Sequence, residues 1–245
     1  METTNYTILD GGMGTQLQAR GLQPGQKPEL AALEMPEVLT AIHTDYANAG
    51  ADILLANTFG ANAKKLAGCG RSVEEVVSAS IACARRAGQE TSALVALDIG
   101  PLGELLVPAG TLSFEAAYAE FAQVIRAGTA AGADLVFLET MTDLYELKAA
   151  LLAAKENCDL PILASMSFEA GGRTFTGCTV ESFAVTARGL GANAVGINCS
   201  LGPKEIFPMA KRLAEALPGD FPVFVKPNAG LPRADGSGYD ITPQL

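Results

Sequence analysis

Short apolar runs alternate with longer segments of helical period along this chain, and this alternation constrains its fold more than any other feature. Continuous apolar runs are typical of strands in a parallel sheet whose outer face is covered. Strands that alternate with helices predict βα units joined by right-handed crossovers. The predicted strands are 6–9, 52–56, 93–97, 134–138, 161–166, 194–197 and 222–225, and the predicted helices lie near 37–49, 73–89, 114–131, 143–157, 180–190 and 204–217.

The pattern predicts an α/β fold, a TIM (β/α)8 barrel that is incomplete because the last βα unit is missing. The chain has 245 residues, which suits one barrel of about 250 residues, so we expect a single domain over 1–245. The alternative is an open doubly wound sheet, which normally carries a glycine-rich phosphate turn after its first strand. The turn at 10–15 reads DGGMGT and lacks the GxGxxG spacing, which favours the barrel.

A weak internal repeat introduces three of the predicted strands. The words are AGAD at 49–52, AGAD at 131–134 and LGAN at 190–193. Glycine at the second position suits the left-handed residue that closes a helix, and the apolar run that follows is the next strand.

Composition excludes several classes of partner. The chain has 27 acidic and 17 basic side chains and a net charge of −10, which argues against nucleic acid and anionic membranes. It has no signal-peptide pattern and no apolar run long enough to span a membrane. Its five cysteines lack a CxxC pair, so we expect free thiols in the cytoplasm. With His43 as the one histidine, a metal site would need mainly sulfur and oxygen ligands.

Polar residues stand where the predicted strands end, which is where barrels build their active sites. Carboxylates there suit a ligand with an ammonium group, and the N–H groups of the turn 11–14 suit its carboxylate. For any single position, a strand cap or turn former explains the residue equally well. The residues are Asp10, Asn57, Thr58, Asp98, Glu139, Thr140, Ser167, Asn198, Cys199 and Asn228.

Cys199 and Lys226 leave alternatives open. Cys199 is a metal ligand, a nucleophile or a small buried hydrophobe, and the absence of a neighbouring histidine in sequence favours the ligand. Lys226 is a Schiff-base nucleophile, as in barrel aldolases, or a lysine at the rim of the barrel.

Six words together resemble the homocysteine S-methyltransferase family over essentially the whole chain. They are DGGMGT at 10–15, LANTFGA at 55–61, DIGP at 98–101, FLET at 137–140, GINCS at 196–200 and KPNAG at 226–230. The resemblance is strongest to the homocysteine domain of cobalamin-dependent methionine synthase. It implies a zinc enzyme on a TIM barrel that moves a methyl group to the thiol of homocysteine and gives methionine.

The resemblance also implies roles for individual residues. Family members hold zinc with three thiolates, of which Cys199 matches one, and zinc stabilises the homocysteine thiolate. Asn228 falls where an amide approaches the metal when substrate is absent. Asp10 and Glu139 match the residues that hold the substrate ammonium. The remaining residues expected to line the substrate pocket are Gly11, Gly12, Asn57, Thr58, Phe59 and Asn198.

One departure from the family is severe. The chain ends at Leu245, before the Gly-Gly-Cys-Cys motif that supplies the other two thiolates, and only Cys178 lies in a loop that suits a substitute. One thiolate does not make a tight zinc site. A non-catalytic or vestigial amino-acid-binding barrel and a lysine-dependent lyase using Lys226 therefore remain as alternatives. The methyl donor stays open, with methylcobalamin on a separate corrinoid domain as one candidate, and a selenol acceptor also stays open.

Overall fold

Six parallel strands form one sheet in the order of the sequence, β1-β2-β3-β4-β5-β6. The computed structural model describes residues 6–89, 91–230 and 241, so Leu245 lies outside the described residues. A doubly wound sheet would reverse its strand order at a switch point, so the sequential order identifies an incomplete (β/α)8 barrel. The strands are β1 Ile53–Leu55, β2 Leu94–Ile99, β3 Leu135–Met141, β4 Ile162–Met166, β5 Ala194–Asn198 and β6 Val223–Lys226.

The six predicted helices are confirmed with small shifts at their ends. They are α3 Pro36–Asn48, α5 Val73–Gly88, α6 Phe114–Ala130, α7 Leu144–Asn157, α8 Val180–Gly189 and α9 Pro203–Glu215. The shorter helices α1 Met13–Ala19, α2 Ala31–Glu34 and α4 Ala63–Leu66 and a 3-10 turn at Pro28–Leu30 are not predicted by the pattern. None of the helices in the described residues is both long and apolar enough to cross a membrane.

The described chain divides into two compact units. The first comprises Met1–Leu102, Glu120–Phe137 and Asn157–Leu160, and the second comprises Gly103–Ala119, Leu138–Glu156 and Pro161–Leu245. The first unit buries the apolar side chains of β1 and β2 against α3 and α5, and the second buries those of β5 against α8 and α9. The expectation of one domain over 1–245 stays a prediction.

The expected first strand, 6–9, is wrong as a strand. Among the residues that the structure describes, it makes only a single parallel bridge, between Leu9 and Ile53. Tyr6 is 81% exposed and Ile8 is 54% exposed, so these side chains gain little from burial. The described residues therefore contain six strands rather than seven.

The repeated words close helices as predicted. Gly50, Gly132 and Gly191 have φ angles of +100°, +87° and +93°, a region that glycine enters without strain. In the first word, the N–H of Ala51 donates to the carbonyl of Tyr46 at 3.1 Å, the longer bond of a Schellman motif.

The fourth residue of each repeated word, an aspartate or an asparagine, has a role that the sequence pattern did not predict. Its side-chain oxygen accepts the backbone N–H of a residue on the preceding apolar run, while its own N–H donates to the carbonyl of that residue. These two bonds fix the register between neighbouring strands before the regular ladder begins. They join Asp52 to Ile8, Asp134 to Val95 and Asn193 to Ile162.

Candidate functional site at the carboxyl ends of the strands

In the first unit, Asp10 is a buried carboxylate fixed by the neighbouring strand. Its Oδ2 accepts the N–H of Leu55 at 2.8 Å, and its own N–H donates to the carbonyl of Ile53 at 3.1 Å. The next residue, Gly11, passes so close to Tyr46 that a Cβ would lie 2.9 Å from its ring. Gly12 is the N-cap residue of α1, and its carbonyl accepts the hydroxyl of Tyr46 at 3.0 Å. A larger residue at position 11 would therefore require the Tyr46 ring to move.

The segment after β1 is held by backbone contacts within the first unit. Asn57 donates through Nδ2 to the carbonyl of Pro28 at 2.6 Å. The hydroxyl of Thr58 donates to the carbonyl of Asp98 at 2.7 Å and accepts the N–H of Asp98 at 3.1 Å. Both side chains are buried. They join the end of β1 to its surroundings, as a strand cap does, and Thr58 brings the predicted residue Asp98 into contact with this segment.

Phe59 belongs to the same segment. The ammonium of Lys65 lies 5.5 Å from the centre of the Phe59 ring, a cation–π distance. The Nζ of Lys65 also donates to the carbonyl of Pro101 at 2.7 Å. Gly100 packs closely against the same Phe59 ring, since a Cβ at position 100 would lie 2.4 Å from a ring carbon.

In the second unit, an ion pair joins the first and last of its strands. The Nζ of Lys226 donates to Oε1 of Glu139 at 2.7 Å, and the two side chains are 18% and 13% exposed. β4 and β5 lie between them in the sheet. Because side chains stand roughly perpendicular to a flat sheet, this contact requires that the sheet of this unit curves toward the side that carries the pair.

Asn198 connects the ends of β3, β4 and β5. Its Oδ1 accepts the hydroxyl of Ser165 at 2.8 Å and the N–H of Thr140 at 3.2 Å. Its Nδ2 donates to Oγ1 of Thr140 at 2.7 Å. The side chain is 2% exposed, so the amide that was expected to contact substrate bonds to the protein.

Left-handed backbone is concentrated at these strand ends. Thr140, Cys199 and Ser200 have φ angles of +59°, +60° and +58°, a conformation that costs non-glycine residues energy and is found disproportionately at functional sites. The Asn198 bonds hold Thr140 in this conformation. The N–H of Cys199 donates to the carbonyl of Lys226 at 3.1 Å.

Ser167 and Asn228 complete the strand-end residues of this unit. The hydroxyls of Ser167 and Ser200 share a hydrogen bond, so the end of β4 contacts the turn after Cys199. Asn228 is half-buried, and its backbone N–H donates to the carbonyl of Leu201 at 3.0 Å. The turns after β5 and β6 are therefore joined.

The described residues do not form a zinc site. Among them, no three histidine, cysteine, aspartate or glutamate side chains are grouped to hold a metal ion. Cys199 supplies one thiol and Asn228 one amide, whereas a catalytic zinc site uses three protein ligands. Cys199 and Asn228, the expected metal ligands, are thus present, but among the described residues the further ligands that a zinc site needs are not grouped with them.

Cys178 does not complete the set. Burial, and then the nearby charge of Asp143, raises the pKa of its thiol to about 11. Its Sγ donates to the carbonyl of Thr179 at 3.3 Å. Among the described residues, Cys178 belongs to no group of three side chains that could hold a metal ion.

His43 also lies outside any site. It is fully buried on α3, and neither ring nitrogen has a hydrogen-bond partner among the described residues. Burial lowers the pKa of His43 to about 4, so the ring is neutral at physiological pH and belongs to the core.

Comparison with known proteins gives a consistent result. A family model described as homocysteine S-methyltransferase matches residues 7–245. Methionine synthase of Mycobacterium tuberculosis is 32% identical over 261 residues, which cover 96% of this chain and 21% of that protein. Methionine synthase of Mycobacterium leprae is 31% identical over 270 residues, 99% of this chain and 22% of that protein. The chain thus spans about a fifth of the length of these relatives.

A solved structure agrees in fold. The homocysteine methyltransferase MmuM from Escherichia coli, in its metallated form, has a TM-score of 0.82 and 25% sequence identity. The similarity covers 94% of this chain and 85% of that one.

Proposed function

Because this chain belongs to the homocysteine S-methyltransferase family, we propose that it is the homocysteine-binding portion of an enzyme that methylates the homocysteine thiol and forms methionine. The observation that carries the proposal lies in the second unit. Lys226 contacts Glu139 through its ammonium and Cys199 through its carbonyl. Lys226 therefore holds both Glu139, the proposed anchor for the substrate amino group, and Cys199, the proposed thiol ligand.

The residues of the second unit have distinct tasks in this proposal. The Glu139 carboxylate binds the substrate ammonium, and Cys199 faces the substrate sulfur as a metal ligand. Asn198 fixes the Thr140 turn beside Glu139 and also precedes Cys199 in the chain, so it holds both groups in place. Asn228 is proposed as the amide that approaches the metal in the absence of substrate.

For the first unit by itself, we propose a substrate-binding role for the residues predicted from the sequence. Asp10 is a candidate for binding an ammonium group, and Gly11 and Gly12 offer a turn with no side chain. Asn57, Thr58 and Phe59 are candidates for the wall of the substrate pocket. Their support is that each is held in place by the contacts described above, since a preorganised site loses less entropy on binding.

Zinc is the cofactor proposed for the longer protein, where it would supply a Lewis acid that stabilises the substrate thiolate. Cys199 is the one thiolate that this chain's described residues offer to it. Methylcobalamin on a separate corrinoid domain is the proposed donor, in keeping with the length of the methionine synthase relatives. Five free cysteines suit a reducing compartment, so we propose the cytoplasm.

A second candidate function is a non-catalytic amino-acid-binding barrel. It is favoured by the absence of a three-ligand metal group among the described residues. The lysine-dependent lyase has less support, because Lys226 is engaged as an ammonium by Glu139 rather than held in an apolar pocket as a neutral amine.

Assays of methionine formation and of homocysteine binding distinguish the methyltransferase from the non-catalytic barrel. The longer protein should form methionine from homocysteine and methylcobalamin in the presence of zinc. Cys199→Ser should lower this rate by at least about 100-fold, while the matched variant Cys158→Ser should leave it unchanged. Homocysteine binding without zinc dependence and without methionine formation would instead support the non-catalytic barrel.

A further inference from the structure

The ring of Phe59 lies between two neighbours that come from different parts of the first unit. The ammonium of Lys65, on α4, is 5.5 Å from the centre of the ring, and a cation within about 6 Å is attracted to an aromatic face. Gly100, directly after β2, packs so closely that a Cβ at this position would lie 2.4 Å from a ring carbon. The half-buried Phe59 ring is thus contacted by a cation and by backbone without a side chain.

The two neighbours of the ring are also joined to each other. The Nζ of Lys65 donates to the carbonyl of Pro101 at 2.7 Å, and the N–H of Gly100 donates to the carbonyl of Phe59 at 2.9 Å. One short segment after β2 therefore contacts the ring, the backbone of Phe59 and the cation. Rotation of the Phe59 side chain away from this position would give up its contacts with both neighbours.

The backbone of Lys65 is anchored, which limits where its side chain reaches. Its N–H donates to Oδ1 of Asn62 at 2.9 Å, which is the N-cap bond of α4, and its carbonyl accepts the ammonium of Lys27. Asn62 is itself buried. Because the ammonium of Lys65 is bonded to Pro101, the side chain is held at both ends. The position of the cation is therefore set by the fold rather than by the Phe59 ring.

We propose that Lys65 is a positioning residue, which holds the Phe59 ring against Gly100 and so keeps the ring at the wall of the substrate pocket. The proposal rests on the proposed function, in which Phe59 lines that pocket, and adds the residues that fix its ring. Gly100 is the second part of this arrangement, because a side chain there would displace the ring. A ring that is fixed before the ligand arrives loses less entropy on binding.

Two measurements on the full-length chain test the proposal. Nuclear Overhauser contacts between the Phe59 ring protons and the Hα protons of Gly100 report the position of the ring without any ligand. They would be recorded with isotope-labelled phenylalanine, and the Phe59 signals would be assigned through Phe59→Leu. The dissociation constant of L-homocysteine would be measured calorimetrically under reducing conditions. The variants are Lys65→Met, Lys65→Arg and Gly100→Ala, with Lys64→Met, an exposed lysine of the same helix, as the matched control.

Lys65→Met should weaken the contact between Phe59 and Gly100 and should weaken homocysteine binding by about 3-fold, as expected for the loss of a cation–π contact. Lys65→Arg should preserve both, because arginine also brings a cation to the ring, and Lys64→Met should change neither. Gly100→Ala should displace the ring although Lys65 is present, and should weaken homocysteine binding at least as much. If Lys65→Met does not fold, Lys65→Gln is measured in its place.

An unchanged contact between Phe59 and Gly100 in Lys65→Met would overturn the inference and leave the proposed function intact. A lost contact with unchanged homocysteine affinity would also overturn it, because the position of the ring would then not matter for the pocket. Failure of the unaltered chain to bind homocysteine would instead count against the proposed function itself, and the Phe59–Gly100 contact would still decide whether Lys65 positions the ring.

Discussion

The ammonium of Lys226 lies 2.7 Å from the carboxylate of Glu139, although 87 residues and two strands separate them. The same lysine accepts the N–H of Cys199 through its carbonyl. The pair thus links the ends of β3, β5 and β6 within one unit. Substitutions in this network are expected to affect both the stability of the fold and the recognition of the ligand.

Asn198→Ala should destabilise the protein more than an ordinary polar substitution. It would leave the N–H and Oγ1 of Thr140 and the hydroxyl of Ser165 without their amide partner at a buried position. We expect a loss of about 2 kcal/mol or more in the free energy of unfolding, measured by urea denaturation. The exposed Asn48→Ala is the control, and equal losses for both variants would contradict a linking role for Asn198.

His43 should make stability depend on pH. Its pKa is about 4 in the folded state and 6.5 unfolded, so the unfolded chain binds the extra proton between these values. The free energy of unfolding should therefore fall as the pH drops from about 6.5 to about 4, by about 3 kcal/mol.

The check is urea denaturation from pH 7.5 to pH 4 for the unaltered chain and for His43→Leu. The variant should lose this part of the pH dependence, while the contribution of the carboxylates remains in both proteins. Identical slopes in the two proteins would show that His43 is not buried in its neutral form.

The Cys178 thiol should react slowly with alkylating reagents. Its pKa is raised from 9.0 to about 11, so at pH 8 the thiolate fraction is about 100-fold smaller than that of an ordinary cysteine. Iodoacetamide labelling followed by mass spectrometry would measure the rate, with urea-unfolded protein as the reference. Labelling as fast in the folded as in the unfolded chain would be inconsistent with this burial.

Asn193→Ala should cost about 1–2 kcal/mol in the free energy of unfolding, because it removes the acceptor of the Ile162 N–H. Asn193→Asp is the matched control, since aspartate holds the same position in the words at 52 and 134 and accepts an equivalent bond there. We expect it to retain most of the stability. Equal urea midpoints for both variants and the unaltered chain would rule out this register bond as a stabilising contact.

The fold was predictable to the extent that it depends on local pattern. The long helices follow from their apolar period, and the left-handed φ angles of Gly50, Gly132 and Gly191 follow from the repeated words. The segment 6–9 was predicted as a strand because apolar composition alone does not reveal how many neighbours a strand has. In the described residues it forms the single bridge from Leu9 to Ile53, and Tyr6 and Ile8 are exposed.

The candidate site was predictable as a set of positions and not as a set of contacts. Glu139, Asn198 and Cys199 were expected at strand ends and lie there. The sequence did not reveal that Asn198 bonds to Thr140 and Ser165. It also did not reveal that Lys226 forms an ion pair with Glu139. A signal was present in part, since Thr140 directly follows Glu139 in one of the family words.

Local pattern was enough to assign the six long helices, the six strands, the residues that end those strands and the family resemblance, because each depends on residues close together in the chain. Tertiary structure decided which strand-end side chains meet. Lys226 reaches Glu139 because the strands of the second unit curve, and Asn198 bonds to Thr140 across 58 residues. Such pairings depend on the distance between strands in space, which no spacing along the chain specifies.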